Sequence, residues 1–263
     1  MPWHQHPALR HNRLRLPSTT DYPTEDPMRH DSTIPQHGFS LVELTVVLVI
    51  VALLGSGLIF GLSAQREAAA LQDARRQLDM AREALLGFAM ANGRLPCPAP
   101  ANLPNTDANA GKAATPPCNN ALQHGVLPWV TLGLPETDPW GNRLTYFGSN
   151  RFTGALTSGA QASFTMSTGV PPDNAGLADI RNLVDSTVAI ETGAVVVSHG
   201  PNGAGAYRPD GGKNADGSIK EQKNSDADQI FVADTPTPSF DDLLVWISPH
   251  LLKSRLVAVG KLP

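Results

Sequence analysis

The chain has 263 residues, 41% of them hydrophobic and 17% charged, with a net charge of −4 and an isoelectric point near 6.0. No long basic block offsets that acidic balance, so nucleic acid is excluded as an expected partner. Gly and Pro contribute 23 residues each, well above their average share of roughly 12%, which points to a loop-rich fold and away from a helical bundle.

Residues 1–37 are rich in His, Pro and Arg and show no apolar periodicity, the mark of a leader and not of a domain. Arg10, Arg13, Arg15 and Arg29 are balanced by Asp21, Glu25, Asp26 and Asp31, so the positive-inside rule orients the adjoining apolar segment only weakly. Met28 is a second possible start, giving a short leader from Met28 to Gly38 with Arg29 near its front.

From Leu44 to Gln65 no residue carries a formal charge. At ~1.5 Å per residue, a helix of that length spans roughly the ~30 Å hydrocarbon layer of a membrane. Residues 39–62 are therefore expected to be a membrane-crossing helix. Its one carboxylate, Glu43, sits a turn inside the N-terminal end, where an unpaired charge costs on the order of 2.5–3.5 kcal/mol and marks a functional group in need of a partner.

The order Gly38-Phe39-Ser40-Leu41-Val42-Glu43-Leu44 resembles the processing site of type IV prepilins and of the pseudopilins of type II secretion. The resemblance implies cleavage between Gly38 and Phe39 by prepilin peptidase and methylation of the Phe39 amine. It also implies an apolar helix that packs at the core of a filament, together with other (pseudo)pilins and an inner-membrane assembly platform. Glu43 then has a partner, the positive N-terminus of a neighbouring subunit. The plainer alternative is an uncleaved signal anchor with an incidental Glu. Within the run, Gly57-x3-Gly61 is a small-x3-small pattern that lets helices approach closely, and the same glycines weaken the helix.

No breaker appears before Asn92-Gly93, so the helix is expected to continue through residues 63–93. Leu71, Ala74, Leu78, Ala81, Leu85 and Phe88 recur at alternating spacings of three and four, placing one apolar stripe on a globular head. The whole helix, Phe39 to about Ala91, would be roughly 80 Å long. Residues 94–263 form that head.

Arg94-Leu95-Pro96-Cys97-Pro98 ends the helix, and 98–128 is a Pro-, Asn- and Ala-rich connection that needs pinning. Cys97 and Cys118 are the only cysteines. In an oxidising compartment they suit a disulfide worth about 3 kcal/mol. Zinc held with His124 or His199, or two free thiols, are the alternatives.

After the apolar patch Trp129 to Leu134, Asp138-Pro139-Trp140-Gly141 is a turn signal feeding a strand at Arg143 to Phe147. It resembles the Asp-Pro-Trp-Gly turn of G-type pseudopilins. Further strands are expected at Ala162–Ser167, Val188–Glu191, Ala194–Ser198, Gln229–Ala233 and Asp242–Ile247. Ser248-Pro249 signals a short closing helix, Pro249 to about Val257. The expected fold is thus α+β and pilin-like: one long helix packed on a small antiparallel sheet with long loops.

Catalytic chemistry is not expected. Ser198-His199 with Asp210 or Asp185 lacks a nucleophile elbow, and Gly200 to Gly205 lacks the Lys-Ser/Thr ending of a phosphate loop. Ser198-x-Gly200-x-Asn202-Gly203 followed by Asp226-Ala227-Asp228-Gln229-Ile230 resembles the calcium loop of G-type pseudopilins, which implies calcium on Asp226 and Asp228, helped by Asp210 or Asp216. The intervening segment is longer than that loop. The mature chain also exceeds the major subunits in size, which favours a minor or atypical subunit in the inner membrane with its head in the periplasm. A tip adhesin or substrate-binding minor pilin, and a membrane-anchored enzyme, are the rivals from other classes.

Overall fold

A computed structural model describes residues 38–263, and the side chains of 55–64 lie outside that description. The leader and the Met28 start therefore fall outside the described residues. The chain divides into two units, Met1–Leu53 and Leu54–Pro263.

In the first unit, residues 38–40 precede a helix, α1 (Leu41–Asn92), which continues into the second unit. Every residue of α1 from Leu41 to Leu54 is exposed. Among the described residues no helix is long and apolar enough to cross a membrane; residues 55–64, which complete the apolar run, do not enter that statement.

The second unit holds the remaining elements. They are β1 (His124–Val126), α2 (Trp129–Leu132), β2 (Thr145–Gly148), α3 (Asn150–Thr153), β3 (Ala178–Arg181), β4 (Thr187–Thr192) and β5 (Ala194–Ser198). After these come α4 (Ile219–Gln222), β6 (Ile230–Val232), β7 (Leu243–Ile247) and α5 (Pro249–Ala258). The main sheet is antiparallel throughout, in the order β1-β2-β5-β7.

One face of that sheet packs on α1 and α5. Ala74, Leu78, Ala81 and Leu85 of the expected stripe are buried against Tyr146, Val196, Ile247, Leu252 and Leu256. A fully buried Leu contributes about 1.5–3 kcal/mol, so this seam is a large part of what holds the head together. Phe88 is only half-buried, and Leu86 and Ala89 take its place. A three-four repeat averages 3.5 residues, and against a 3.6-residue helix it drifts by about 20° per heptad. Gly93, in the left-handed region at φ +68°, then ends α1, and a Cβ there would fall on the carbonyl oxygen of Gln161.

One expectation needs correcting. Ala162–Ser167 is not a strand but a run of turns. Ser163 N–H donates to the Gly93 carbonyl at the end of α1, and Thr165 N–H to the Thr168 hydroxyl, so backbone groups that a ladder would need are already used. Its Phe164 stands edge-on to Phe152, with centroids 4.9 Å apart. The expected α+β fold, a long helix on a small antiparallel sheet, is present, and the head adds to it. A second sheet, β4-β3-β6, lies on the other face, with β3 and β4 antiparallel and β3 and β6 parallel. Phe147, Val195 and Val197 of the main sheet meet Ala178, Ile180 and Phe231 there. β5 is therefore buried on both faces, which is why Ala-Val-Val-Val reads as a continuous apolar run.

Candidate functional sites

At the front of the chain, Ser40 caps α1. Its side-chain oxygen accepts from the Glu43 N–H at 3.1 Å, and its carbonyl accepts from the Leu44 N–H at 3.1 Å. Ser at the cap with Glu three residues on favours helix initiation, and the carboxylate also sits well beside the positive end of the helix dipole. Among the described residues the Glu43 carboxylate has no ion pair. Thr45, the other polar residue of this stretch, returns its hydroxyl to the Val42 carbonyl at 2.8 Å. Gly38 is not a requirement of the fold, since a Cβ there would meet nothing within 4 Å and its φ is not positive. Phe39 is 83% exposed.

Residues 35–59 match the family model of the prokaryotic N-terminal methylation motif. The chain is type IV prepilin-like. No curated protein matches it, and neither does any solved structure. The motif covers Gly38, Phe39 and Glu43 and the first part of α1, so the head of this prepilin-like chain has to be understood from its own geometry.

Cys97 and Cys118 form a disulfide, with Cα atoms 5.9 Å apart and both residues fully buried. That removes the thiols from the zinc alternative. Sequence reasoning missed the second fastener of the same loop, Arg143, which is wholly buried. Its Nε and Nη2 donate to Glu136 Oε1 at 3.0 and 2.8 Å, Nη1 to the carbonyls of Ala101 and Leu103, and Nη2 also to the carbonyl of Pro209. The guanidinium lies 4.7 Å from the Trp129 ring. An Arg at the start of a strand carries no motif that would single it out.

The Asp138 turn and the Ser198 turn, noted separately in the sequence, meet in space. Asp138 Oδ1 accepts from the N–H groups of Trp140 and Asn142, each at 3.0 Å, and Oδ2 accepts from the Ser198 hydroxyl at 2.7 Å. Burial pushes the Asp138 carboxyl up from its ordinary pKa, and these donors oppose the shift. Next to it, Thr145 Oγ1 and His199 Nε2 are 2.7 Å apart, while His199 Nδ1 faces Asp242 Oδ1 at 3.6 Å. Thr145, His199 and Asp242 are all buried. Ser198 thus serves Asp138 and not His199; Asp210 pairs with Arg208, and Asp185 with Lys220. The Ser-His-Asp arrangement weighed from the sequence is not assembled.

In the polar loop, Asp226 and Asp228 do come together, but around a side chain of the protein itself. Lys223 Nζ lies 3.0 Å from Asp226 Oδ2 and 2.6 Å from Asp228 Oδ2. These two carboxylates push the Lys223 ammonium up to about 12. Asp216 is paired with Lys213. A different trio converges nearby: Glu221, Asp241 and Asp242 each bring one carboxylate oxygen within 4.8 Å of the others. Glu221 closes a capping box with Ser218 at the start of α4 and accepts from Asn202 Nδ2 at 2.7 Å. Asp241 Oδ2 accepts from the Asn202 N–H at 3.0 Å, and Asp242 Oδ2 from Asn224 Nδ2 at 2.7 Å. Burial, joined by the charges of Asp242 and Glu221, pushes the Asp241 carboxyl up to about 6.

Proposed function

We propose that this prepilin-like chain is a filament subunit of a type II secretion pseudopilus or type IV pilus, and a minor or atypical one. Prepilin peptidase cuts it between Gly38 and Phe39, and the Phe39 amine is methylated. The apolar run anchors it in the bacterial inner membrane, with the head in the periplasm, until it packs against copies of itself and other pilins. The observation that carries this reading is the front of α1. Val46 to Val51 are six successive aliphatic residues, which point to every side of a helix with 3.6 residues per turn. All six are exposed, Leu48 by 59% and Ile50 by 49%. So much apolar surface around a whole helix suits lipid or neighbouring helices and not water. Glu43, without an ion pair among the described residues, suits the amine of an adjacent subunit. The disulfide is consistent with an oxidising compartment.

The reading is tested by intact mass of the membrane-extracted protein, which should begin at methylated Phe39. Gly38→Arg should leave the precursor uncut, and Glu43→Val should be cut yet fail to join filaments of wild-type subunits. A native N-terminus upstream of Gly38, or normal assembly of Glu43→Val, would overturn the corresponding step.

A further inference from the structure

Among the described residues, each of the two sheets leaves one edge strand bare. β7 ends the main sheet and pairs only with β5, and β4 ends the second sheet and pairs only with β3. The opposite edges are covered, β1 by Ala99 and β6 by the Asn224 side chain, which bonds both backbone groups of Val232. No backbone group of Leu243 to Trp246, or of Thr187 to Ile190, is bonded outside its own sheet. Bare edges are usually blunted by Lys, Pro or inward charges, and neither Leu243-Leu244-Val245-Trp246-Ile247 nor Thr187-Val188-Ala189-Ile190 carries one. Beside β7 runs a groove of about 600 Å³, walled by α1 at Arg75 and Leu78 and by residues 233–236. β4 offers side chains instead: Val188 is 46% and Ile190 59% exposed, two residues apart on one face of the strand. Since β6 runs on into the wall of the groove, β4 is the edge of the second sheet away from it.

We infer that heads of successive copies join edge to edge, β4 of one lying along β7 of the next, with Val188 and Ile190 filling the groove against Leu78, Leu243 and Val245. The charges agree with that occupant. Among the described residues neither Arg75, on the groove, nor Glu191, at the end of β4, has an ion pair. Of the acids nearest Arg75 in the groove, Asp79 is paired with Arg82, and Asp234 accepts from the Leu183 and Thr235 N–H groups. Joined copies bring Glu191 to Arg75 as the missing counter-charge. Glu191 also has φ +56°, which ends the regular part of β4 and limits the pairing to Thr187 to Ile190. A contact between two different edges is heterologous, so each copy added leaves one edge of each kind open, as a filament requires. Four residues of pairing hold weakly alone, and repetition along a filament raises their combined strength. This inference rests on the filament reading and deepens it by naming the head surfaces that touch.

The test uses membranes from cells that make two differently tagged full-length forms together, one with Thr187→Cys and the other with Thr235→Cys. Both positions are exposed, and the native cysteines are already joined to each other. A short bismaleimide should link the two forms to one another and neither form to itself. Arg75→Glu in both forms should lower that yield at least about fivefold, since an ion pair becomes a like-charge contact. Adding Glu191→Arg to Arg75→Glu should restore it, which a merely misfolded head would not do. No product between the two forms, equal linking within one form, product only with other proteins, or a yield that ignores the charge exchange would each overturn the inference. The filament reading fails separately: a chain that begins at methylated Phe39 and gives no link refutes the edge contact alone, and linked heads on a chain that begins upstream of Gly38 refute the processing step alone.

Discussion

Arg143→Met is the sharpest test of how the head holds its cysteine-bounded loop. Methionine keeps most of the length of the stem but removes the guanidinium that lies over the Trp129 ring and all five N–H donors, whose partners in the native structure are Glu136 and three backbone carbonyls. The carbonyls of Ala101, Leu103 and Pro209 lose these donors, and a buried acceptor left unmet costs about 1–3 kcal/mol. Glu136 loses its counter-charge, but its side chain is 25% exposed and can be rehydrated. With three carbonyls left unmet, the expected loss is at least about 3 kcal/mol. Arg143→Lys keeps the charge but presents three donors from a single point; it cannot reproduce the fork and should lose about half as much. Glu136→Gln keeps an acceptor for the fork but leaves the wholly buried guanidinium without its counter-charge, so it should also destabilise, by up to about 3–5 kcal/mol. The assay is urea unfolding followed by tryptophan fluorescence with the disulfide intact. Arg143→Met within about 1 kcal/mol of wild type would refute the assignment of Arg143 as the pin.

Reducing Cys97–Cys118, or replacing both with Ser, should lower stability by about 3 kcal/mol, and non-reducing peptide mapping should show the two cysteines linked in the native chain. The raised Asp241 carboxyl predicts a pH effect on stability. Its folded pKa of about 6 exceeds the unfolded value of about 3.9, so the folded state binds the proton more tightly. Asp241 therefore contributes stability that is fully present below about pH 4 and is lost as pH rises through about 6. Comparing wild type with Asp241→Asn across that window isolates it from Asp242, Glu221 and His199; a stability difference between the two that does not change from pH 4 to pH 7 would contradict the effect.

What could be read from the sequence is what repeats or caps locally. The face of α1 came from the spacing of Leu71 to Leu85, β5 from its aliphatic run, and α5 from Ser248-Pro249, where the Ser248 side chain indeed accepts from the Leu251 N–H. The second sheet left no such trace. In β3, Ala178 and Ile180 alternate with Asp179 and Arg181, only two apolar residues on the inner face. Its parallel partner β6 lies beyond the whole polar loop. Ala162–Ser167 had the composition of a strand, and tertiary bonds to the end of α1 overrode it.

The candidate sites divide in the same way. Asp138, Ser198 and Asn202 stood out because turns impose fixed residue types at fixed offsets, and the structure joins Asp138 to Ser198 and Asn202 to Asp241. Arg143, Glu221, Asp241 and Asp242 did not stand out, because their roles depend on partners distant in the chain, as Asn202 is from Asp241 and Arg143 from Ala101.

The same distinction explains the size of the head. The cysteine-bounded loop, residues 148–187 and the C-terminal tail are not appended to a finished core. The loop after Cys97 is clamped by Arg143, and the 162–168 turns are bonded to the end of α1. β3 buries Ile180 against the back of the main sheet, and α5 buries Leu252 and Leu256 against its front. Trimming any one of them would open apolar surface on the sheet that β5 anchors. The head is thus tied together by contacts between segments far apart in the chain, and the segments that enlarge it are the same ones that close its core.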